Sequence, residues 1–323
     1  MNEAPIILSV SKGDGARAST GSARTGSVTV RPELVEGRTG SRFPVWIRRP
    51  LAVHGQWEQA KAVVRELELR TVCQEARCPN LGECWSHGNV SFMILGDRCT
   101  RRCSFCAVVT ARPGPVDGEE PQRLAEAVAR LGLQYVVITS VARDDLRDEG
   151  AGQFAESVRA VQARCPAAQV EVLTPDFHAR PDLIRQVTQA RPAVYNHNLE
   201  TVDRLQRPVR PQAGYQRSLE ALRLAKTLGP AEMKTKSGLM VGLGERPEEI
   251  RQAMADLREA GCGILTIGQY LRPTPAHPAV QEFVPPDRFE QYRCWGLEMG
   301  FSFVASAPYV RSSYNAFEAI KKE

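Results

Sequence analysis

Six of the nine cysteines lie within the stretch 73–106, and their spacing is that of metal ligands. They form an upstream C-x4-C-x5-C group and a downstream C-x3-C-x2-C group: Cys73, Cys78, Cys84, Cys99, Cys103 and Cys106. An even set of cysteines in a small secreted chain would indicate disulfides, but this chain has 323 residues and no apolar secretory signal. Thiolates also bind soft metals and iron–sulfur clusters. The spacing therefore predicts metal ligation.

The downstream group has spacers of three and two residues, so one tight loop can point three thiolates at a common centre. A structural zinc site normally closes with four ligands, whereas an iron–sulfur cubane takes one thiolate per iron. Three thiolates on four irons leave one iron open to a substrate or cofactor. A zinc knuckle completed by Cys84 or His87 is the alternative that the spacing leaves open.

With the aromatic Phe105 just before its last cysteine, this loop resembles the signature of the radical S-adenosylmethionine (SAM) enzymes. In that family the open iron chelates the amino and carboxylate groups of SAM. An electron from the cluster then cleaves SAM to methionine and a 5′-deoxyadenosyl radical. The resemblance implies that Cys99, Cys103 and Cys106 hold this catalytic [4Fe-4S] cluster and that Phe105 belongs to the SAM site.

The upstream group has spacers that are too long for one tight loop and unlike those of common zinc sites. A second cluster held by three cysteines needs a fourth ligand from elsewhere. The two groups, with fourteen residues between them, together resemble the lipoyl synthase family. In that family the upstream group binds an auxiliary [4Fe-4S] cluster, which the second hydroxyl of a C-terminal Arg-Ser-Ser-Tyr motif completes.

The same motif occurs here at 311–314. The resemblance therefore makes Ser313 the fourth ligand beside Cys73, Cys78 and Cys84. Because iron in clusters favours thiolate, we expect a serine oxygen to attach weakly. Lipoyl synthases are thought to consume the auxiliary cluster as sulfur donor, and a weakly bound iron would make that cluster easier to break down. Taken alone, the motif would be an ordinary polar turn.

The resemblance covers about residues 70–317 and implies a reaction. Two sulfur atoms are inserted at C6 and C8 of an octanoyl chain that is amide-linked to a lysine of a lipoyl carrier domain. The implied partners are octanoylated carrier domains of 2-oxoacid dehydrogenase complexes or the glycine cleavage H protein, a ferredoxin- or flavodoxin-type electron donor, and an iron–sulfur carrier for cluster repair. Thiolate ligation and oxygen-sensitive clusters predict a reducing, cytoplasmic location.

Two rival functions stay open. The nearer is another double-cluster radical SAM sulfur-inserting enzyme of the biotin synthase kind, although the upstream cysteines and the Arg-Ser-Ser-Tyr motif argue against it. The other belongs to a different class: a non-catalytic, zinc-stapled binding protein, that is, one whose fold is stabilised by structural zinc. Metal content distinguishes the second rival from both enzymes.

The hydrophobic pattern predicts the scaffold that positions these residues. Apolar, β-branched runs predict six buried strands at 90–95, 135–139, 170–173, 193–195, 238–241 and 264–267. Helical patterns follow them at 121–131, 152–164, 181–190, 215–228, 247–260 and 286–299. Regular alternation indicates parallel βαβ units, so the predicted fold is α/β, an open partial (β/α)6 barrel like that of the radical SAM enzymes. Active sites lie at the C-terminal ends of such strands.

Polar residues at these strand ends are the next candidates. Asn196, Asn198 and Lys236 are predicted to bind the carboxylate or ribose of SAM. His197 is predicted to be structural, because a lone histidine on a strand usually is and because hydrogen abstraction by a carbon radical needs no base. The remaining cysteines fall in helical or turn context and are predicted to be packed thiols: Cys165, Cys262 and Cys294.

One stretch departs from the family pattern. Residues 144–150 read Asp-Asp-Leu-Arg-Asp-Glu-Gly, where the family usually has Asp-Asp-Leu-Pro-Asp-Gly-Gly near the methionyl group of SAM. Arg147 and Glu149 thus replace a proline and a glycine. We expect a less rigid turn in which residue 149 does not easily adopt positive φ, and an altered SAM affinity.

Charge and composition divide the chain into parts. Residues 1–50 hold eight basic and four acidic residues, whereas the rest is nearly neutral, so we expect no nucleic-acid partner. No apolar run is long enough to cross a bilayer, and no membrane partner is expected. The predicted organisation is a disordered extension at 1–44, an auxiliary-cluster segment at 45–88, the barrel at 89–305 and a C-terminal segment with the Arg-Ser-Ser-Tyr motif at 306–323.

Overall fold

The computed structural model describes residues 43–48 and 55–321. The predicted disordered extension at 1–44 therefore lies outside the described residues, except for its last two positions. The strands are β1 (Arg70–Thr71), β2 (Ser91–Ile94), β3 (Arg98–Cys99), β4 (Val109–Thr110), β5 (Tyr135–Ser140), β6 (Gln169–Leu173), β7 (Val194–Asn196), β8 (Lys234–Val241), β9 (Ile264–Gln269) and β10 (Phe303–Ser306). The helices are α1 (Trp57–Glu66), α2 (Val72–Glu75), α3 (Leu81–Ser86), α4 (Glu120–Leu131), α5 (Ala151–Arg164), α6 (Pro181–Thr188), α7 (Asp203–Val209), α8 (Tyr215–Leu228), α9 (Pro247–Glu259), α10 (Pro286–Glu298) and α11 (Glu318–Lys321), with 3-10 turns at Val45–Ile47 and Phe177–Ala179.

Eight of these strands form one sheet in the order β1-β2-β5-β6-β7-β8-β9-β10, while β3 and β4 form a separate ribbon. β1 runs antiparallel to β2, and the other pairs are parallel. At least one helix separates successive parallel strands of the large sheet, because a parallel pair needs a crossover connection. The predicted α/β fold with an open parallel barrel is confirmed, and β1 and β10 are its edges.

The six predicted strands and six predicted helices are all present, with ends displaced by at most four residues. The largest displacement is at β8, which begins at Lys234 rather than Gly238 because its polar residues, including Lys236, are also inside the sheet. β1 and β10 were not predicted. β1 has two residues, and only one residue of β10, Val304, is buried, so neither carries a clear apolar run.

The sheet is buried on both faces, which explains its nearly continuous apolar strands. Alternate side chains such as Val136 and Val170 point outward and pack with the helices in the larger hydrophobic core. The intervening side chains face the inside of the barrel, where Tyr135 packs with Ala316 and Phe317. The C-terminal segment therefore fills part of the barrel interior.

Candidate active site

The downstream cysteine loop begins where β3 ends and lies against the C-terminal end of β5. Cys99 is the last residue of β3, and its Sγ accepts backbone hydrogen bonds from Arg101 at 3.4 Å and from Ala142 at 3.3 Å. The Cys106 N–H donates to the Cys103 carbonyl oxygen at 3.1 Å, which closes the second half of the loop. Two backbone N–H groups therefore fix the position of the Cys99 sulfur.

Without a bound cation, burial favours the protonated form of three candidate ligands. Burial raises the pKa of Cys106 to about 12 and also raises the pKa of Cys103, and neighbouring thiolates add to both shifts. In the upstream group, burial raises the pKa of Cys73 to about 11. None of the nine cysteines, all of which are described, forms a disulfide. Metal ligation is the ordinary way to ionise such thiols.

The arrangement of the sulfur atoms bears on whether either cysteine group binds a single zinc ion. Because Zn–S bonds are about 2.3 Å long, the thiolates of a tetrahedral zinc site lie within about 4 Å of one another. Within residues 43–48 and 55–321, one group of three possible ligands has all its ligand atoms within 4.8 Å of one another: Asp144, Glu149 and His178. Neither cysteine group meets this criterion. The structure therefore gives no support to a zinc knuckle at either cysteine group.

The group at Asp144, Glu149 and His178 corrects one expectation. Glu149 has a φ of 51°, so the expectation that this position does not easily adopt positive φ is wrong. Glu149 Oε2 lies 2.9 Å from His178 Nδ1, and this contact offsets part of the cost of the left-handed backbone. Asp144 accepts hydrogen bonds from Arg101. Because both carboxylates already have nitrogen partners, we assign this group no metal.

A cleft of about 670 Å³ opens beside the downstream loop. Cys103 and Cys106 line it together with Arg272 and His277, and its size is typical of small-molecule sites. His277 Nε2 lies 3.1 Å from the Cys106 carbonyl oxygen, and its Nδ1 lies 2.8 Å from Thr274 Oγ1. Since a carbonyl only accepts, Nε2 carries the proton. The segment after β9 is thereby tied to the cysteine loop, a link that the sequence did not suggest.

The upstream cysteines lie on two short helices and the turn between them. Cys73 is in α2 and Cys84 is in α3, while the N–H of Cys78 donates to the Cys73 carbonyl oxygen at 3.0 Å. Trp85 in α3 is fully buried, and its ring centroid lies 5.3 Å from that of Trp57 in α1. This aromatic contact fixes α3 against α1. The upstream group is therefore carried by a helical layer that packs on the β2 side of the sheet.

The Arg-Ser-Ser-Tyr motif reaches this helical layer from the other end of the chain. The Tyr314 hydroxyl donates to Glu83 Oε1 at 3.1 Å, and Asn80 Nδ2 donates to the Tyr309 carbonyl oxygen at 2.6 Å. Ser313 lines a small cavity beside the start of β2. The structure thus brings Ser313 to the segment that carries the upstream cysteines, and its role as a cluster ligand stays a prediction.

A close approach between the C-terminal segment and β9 makes this path possible. A Cβ added to Gly268 would lie 1.9 Å from the Val310 carbonyl oxygen, so a side chain at this position would displace the segment. Arg311 Nη1 donates to the same oxygen at 2.6 Å, and Asn198 Nδ2 donates to Ser312 Oγ at 2.5 Å. The motif is therefore held between β9 and the residues after β7.

The predicted SAM contacts lie in two environments. Asn198 is close to the Arg-Ser-Ser-Tyr motif, and Phe105 is half-buried in the cysteine loop. Asn196 and Lys236 are instead fully buried inside the barrel, where Lys236 Nζ lies 2.9 Å from both oxygens of Glu171 and Asn196 Nδ2 lies 2.8 Å from one of them. Contact of all four residues with SAM stays a prediction. Glu171 was missed, although a charged residue inside the apolar run 170–173 was a signal.

The residues that were predicted to be structural have matching surroundings. His197 is buried, its Nδ1 lies 2.8 Å from the Thr174 carbonyl oxygen, and burial lowers its pKa to about 4. It is therefore neutral at neutral pH, as a packed histidine should be. Cys262 is fully buried, whereas Cys165 and Cys294 are half-buried.

Comparisons with known proteins show which family the chain resembles. Residues 93–257 match the family model of the Radical SAM superfamily. A protein named lipoyl synthase from Thermus thermophilus is 54% identical over 91% of this chain and 90% of the relative. Another protein with that name, from Rubrobacter xylanophilus, is 54% identical over 87% of each chain.

Solved structures of low identity share the fold. Streptococcus suis SuiB bound to S-adenosylmethionine has a TM-score of 0.54 at 12% identity, over 72% of this chain and 54% of that chain. HydG, a maturase of the [FeFe]-hydrogenase, has a TM-score of 0.52 at 12% identity, over 77% and 63%. Within the described ranges, no helix combines the length and the apolar character that a membrane crossing needs.

Proposed function

The chain belongs to the lipoyl synthase family of the radical SAM superfamily, and from this premise we propose how its own residues serve the reaction. The reaction inserts two sulfur atoms at C6 and C8 of a protein-bound octanoyl-lysine, with SAM and two [4Fe-4S] clusters as cofactors. The geometric observation that carries the proposal is the pair of cysteine groups, one beside a cleft and the other in a helical segment that the Arg-Ser-Ser-Tyr motif contacts. Neither the biotin synthase kind nor the zinc-stapled protein is favoured.

Cys99, Cys103 and Cys106 would hold the cluster that binds SAM. When bound, the two clusters and SAM supply a carbon-centred radical that removes hydrogen from an unactivated carbon and the sulfur that replaces it. The cysteine loop leaves room for a ligand, because Cys103 and Cys106 line the cleft of about 670 Å³. The backbone N–H groups of Arg101 and Ala142 hold Cys99 Sγ in place. The chain thus orients the reacting groups.

Cys73, Cys78, Cys84 and Ser313 would hold the auxiliary cluster. Support comes from the hydrogen bonds that join the C-terminal segment to α3 and its flanks. An oxygen ligand binds iron less firmly than a thiolate in such clusters, so Ser313 would be the most weakly bound of the four ligands and would ease the release of sulfur. In this proposal 45–88 and 306–323 are the auxiliary-cluster segments around a barrel at 89–305.

The predicted SAM contacts divide into direct and supporting residues. We assign direct contact to Phe105, which lies between two cluster cysteines, and to Asn198, which lies past the C-terminal end of β7. Asn196 and Lys236 are bound to Glu171 inside the barrel and would support the floor of the SAM site. Support for this division is their burial: the Lys236 side chain is 1% exposed.

The substrate is a lipoyl carrier protein. We propose that the carrier is an octanoylated domain of a 2-oxoacid dehydrogenase complex or the glycine cleavage H protein. A ferredoxin- or flavodoxin-type protein would deliver electrons, and an iron–sulfur carrier would rebuild the consumed cluster. Reduced thiols as ligands favour a reducing compartment, so we propose the cytoplasm as the location.

The test of this function is direct conversion of substrate. Anaerobically reconstituted, reduced protein is mixed with an octanoyl-lysine peptide and SAM, and the peptide is weighed by mass spectrometry. We expect a product with two added sulfur atoms. Peptide that gains no sulfur, or deoxyadenosine formed with unchanged peptide, would overturn the substrate assignment.

Matched cysteine variants separate the cluster ligands from packed thiols. Cys99→Ala is expected to abolish deoxyadenosine formation, because the SAM-binding cluster loses a ligand. Cys165→Ala, which removes a half-buried thiol at the end of α5, is expected to keep it. Equal loss in both variants would show that the cysteine change acts through folding.

A further inference from the structure

Arg101 lies between two cysteines of the downstream loop and is almost completely buried, with its side chain 5% exposed. Its guanidinium joins two carboxylates from other strand ends. Nε donates to Asp144 Oδ2 at 2.8 Å, and Nη2 lies 2.7 Å from Asp144 Oδ1 and 2.8 Å from Asp176 Oδ1. Asp144 follows β5 and Asp176 follows β6. One side chain therefore connects the cysteine loop to the two neighbouring strand ends.

Asp176 is itself held in place. Its side chain is fully buried, and its Oδ2 accepts a hydrogen bond from Arg217 Nε in α8 at 2.8 Å. Its Oδ1 also accepts from the His178 backbone N–H at 3.2 Å. The carboxylate that meets Arg101 is thus fixed by a helix and by the turn after β6. Through Asp176, Arg101 is anchored to a buried side chain that other elements hold in place.

The same contacts control the hydrogen bonds to Cys99. The first N–H donor to Cys99 Sγ belongs to Arg101 itself. The second belongs to Ala142, two residues before Asp144. Thr100 Oγ1 donates to the Ala142 carbonyl oxygen at 3.0 Å and contacts Asp144 at 3.1 Å, which holds the two segments together. Both donors are therefore positioned by residues that Arg101 holds.

We propose that Arg101 is a positioning residue for Cys99: by bridging Asp144 and Asp176 it sets the two N–H···S hydrogen bonds that orient this ligand and tune the cluster to which SAM binds. Residues outside the ligand set commonly orient metal ligands in this way. The inference rests on the proposed function for the identity of the cluster. It adds a residue that the reaction uses without touching SAM.

The planar fork of arginine is essential to this role. Its donors reach two carboxylates at once, whereas a lysine ammonium presents a single point charge. Loss of the guanidinium would also take one of two arginine partners from the buried Asp176 and remove the ion pair of Asp144. Arg101→Lys keeps the positive charge and limits the damage to folding, while Arg101→Met removes both the charge and the fork.

The test compares Arg101→Lys and Arg101→Met with Arg98→Met in the reconstituted holoenzyme. Arg98 precedes Cys99 and its side chain is 60% exposed, so it is a matched control. The readouts are iron per chain, the SAM concentration that half-saturates the change in the electron paramagnetic resonance spectrum, and the midpoint potential of the SAM-responsive cluster. We expect both Arg101 variants to need at least about tenfold more SAM. We also expect a more negative potential in both, because hydrogen bonds to the sulfurs raise it.

The outcomes separate the inference from the proposed function. Arg98→Met is expected to match the parent in all three readouts. If Arg101→Lys keeps the parent's SAM response and potential, the fork is not needed and the inference is overturned. A parent protein whose spectrum does not respond to SAM would overturn the proposed function itself, before any variant is compared.

Discussion

Glu171 is a buried carboxylate that three side chains inside the barrel contact. It accepts hydrogen bonds from Lys236, Asn196 and the Tyr135 hydroxyl. Its side chain is 0% exposed and that of Lys236 is 1% exposed, so water does not screen the pair. A buried ion pair loses solvation on folding, and additional hydrogen bonds are needed to offset that loss. Tyr135 and Asn196 supply them.

Breaking this pair from one side is expected to be costly. Lys236→Met leaves the buried Glu171 without its counter-ion, which should lower the free energy of unfolding by about 3–5 kcal/mol. The double variant Lys236→Met with Glu171→Gln removes both charges and should recover part of that loss. Thermal unfolding of the anaerobic holoenzyme measures both. A single variant as stable as the parent would contradict this interpretation.

Ser313 is the residue on which sulfur release depends in the proposed function. Ser313→Cys replaces the weakly bound oxygen with a thiolate, so we expect a firmly bound auxiliary cluster and less product per chain. Ser313→Ala removes the ligand and should lower the iron content of the isolated protein. Iron is counted before and after one turnover. Full product from Ser313→Cys with an intact cluster would show that a weakly bound ligand at position 313 is unnecessary.

Which of these residues could be predicted depended on where their partners lie in the sequence. The cysteine groups were found because their spacers are short enough to fix a common centre. Glu171 and Lys236 are 65 residues apart and Arg101 and Asp144 are 43 apart, so only the folded sheet brings them together. The sequence placed Lys236 at a strand end but did not reveal its buried partner.

At the scale of elements, the loops after the strands carry the unusual backbone. The 3-10 turn Phe177–Ala179 is left-handed, with φ values of 44°, 47° and 53°. Such a conformation costs roughly 1–2 kcal/mol per residue. The buried Phe177 ring contacts Phe154 edge-on at 6.1 Å, which offsets part of that cost. The turn places Asp176 against Arg101 and His178 against Glu149.

Gly268 in β9 controls the path of the C-terminal segment. Gly268→Ala would place a methyl group 1.9 Å from the Val310 carbonyl oxygen, so the segment with Ser313 must move. We expect a loss of about 1–3 kcal/mol in stability and a lower auxiliary-cluster content, while the SAM-responsive cluster remains. Iron analysis and thermal unfolding measure these effects.

A neighbouring glycine provides the control for this prediction. A Cβ at Gly263 would lie 3.6 Å from Ser302 Oγ, an ordinary contact distance, so Gly263→Ala should keep both clusters. If Gly268→Ala retained as much auxiliary-cluster iron as Gly263→Ala, the close approach at β9 would not be what positions Ser313.

The elements themselves differed in how well the sequence predicted them. The six central strands were found because a parallel sheet that is buried on both faces requires continuous apolar runs. β10 was missed because only Val304 is buried in it. The left-handed turn after β6 could not be predicted from local propensity. It depends on tertiary contacts of Phe177 and Asp176 that no nearby residue encodes.

At the scale of the whole molecule, both ends of the described chain meet around the upstream cysteines. The Tyr309 hydroxyl donates to the Ile47 carbonyl oxygen at 2.5 Å, and Tyr314 contacts Glu83. The candidate auxiliary site is thus assembled from segments more than 200 residues apart, since Tyr314 and Glu83 alone are separated by 231 positions. The barrel between them carries the downstream loop, so one scaffold holds two candidate cluster sites.

The metal content of the protein should reflect this double arrangement. We expect about eight irons and eight sulfides per chain after anaerobic reconstitution, since each cubane has four of each. Changing Cys73, Cys78 and Cys84 together to Ala should remove about half of both. Cys294→Ala, which removes a half-buried thiol of α10, serves as the control and should remove none. Zinc at one or two per chain, without visible absorption, would contradict the two-cluster arrangement.

The central claim is that the inserted sulfur comes from a cluster bound to the protein, which we assign to Cys73, Cys78, Cys84 and Ser313. The most direct measurement builds both clusters with isotopically heavy sulfide, removes the excess, and then adds ordinary sulfide, SAM and the octanoyl-lysine peptide. The mass of the product shows whether each inserted sulfur atom came from the clusters or from the sulfide in solution. We predict that both inserted atoms are heavy. A product that contains ordinary sulfur from solution would contradict the claim.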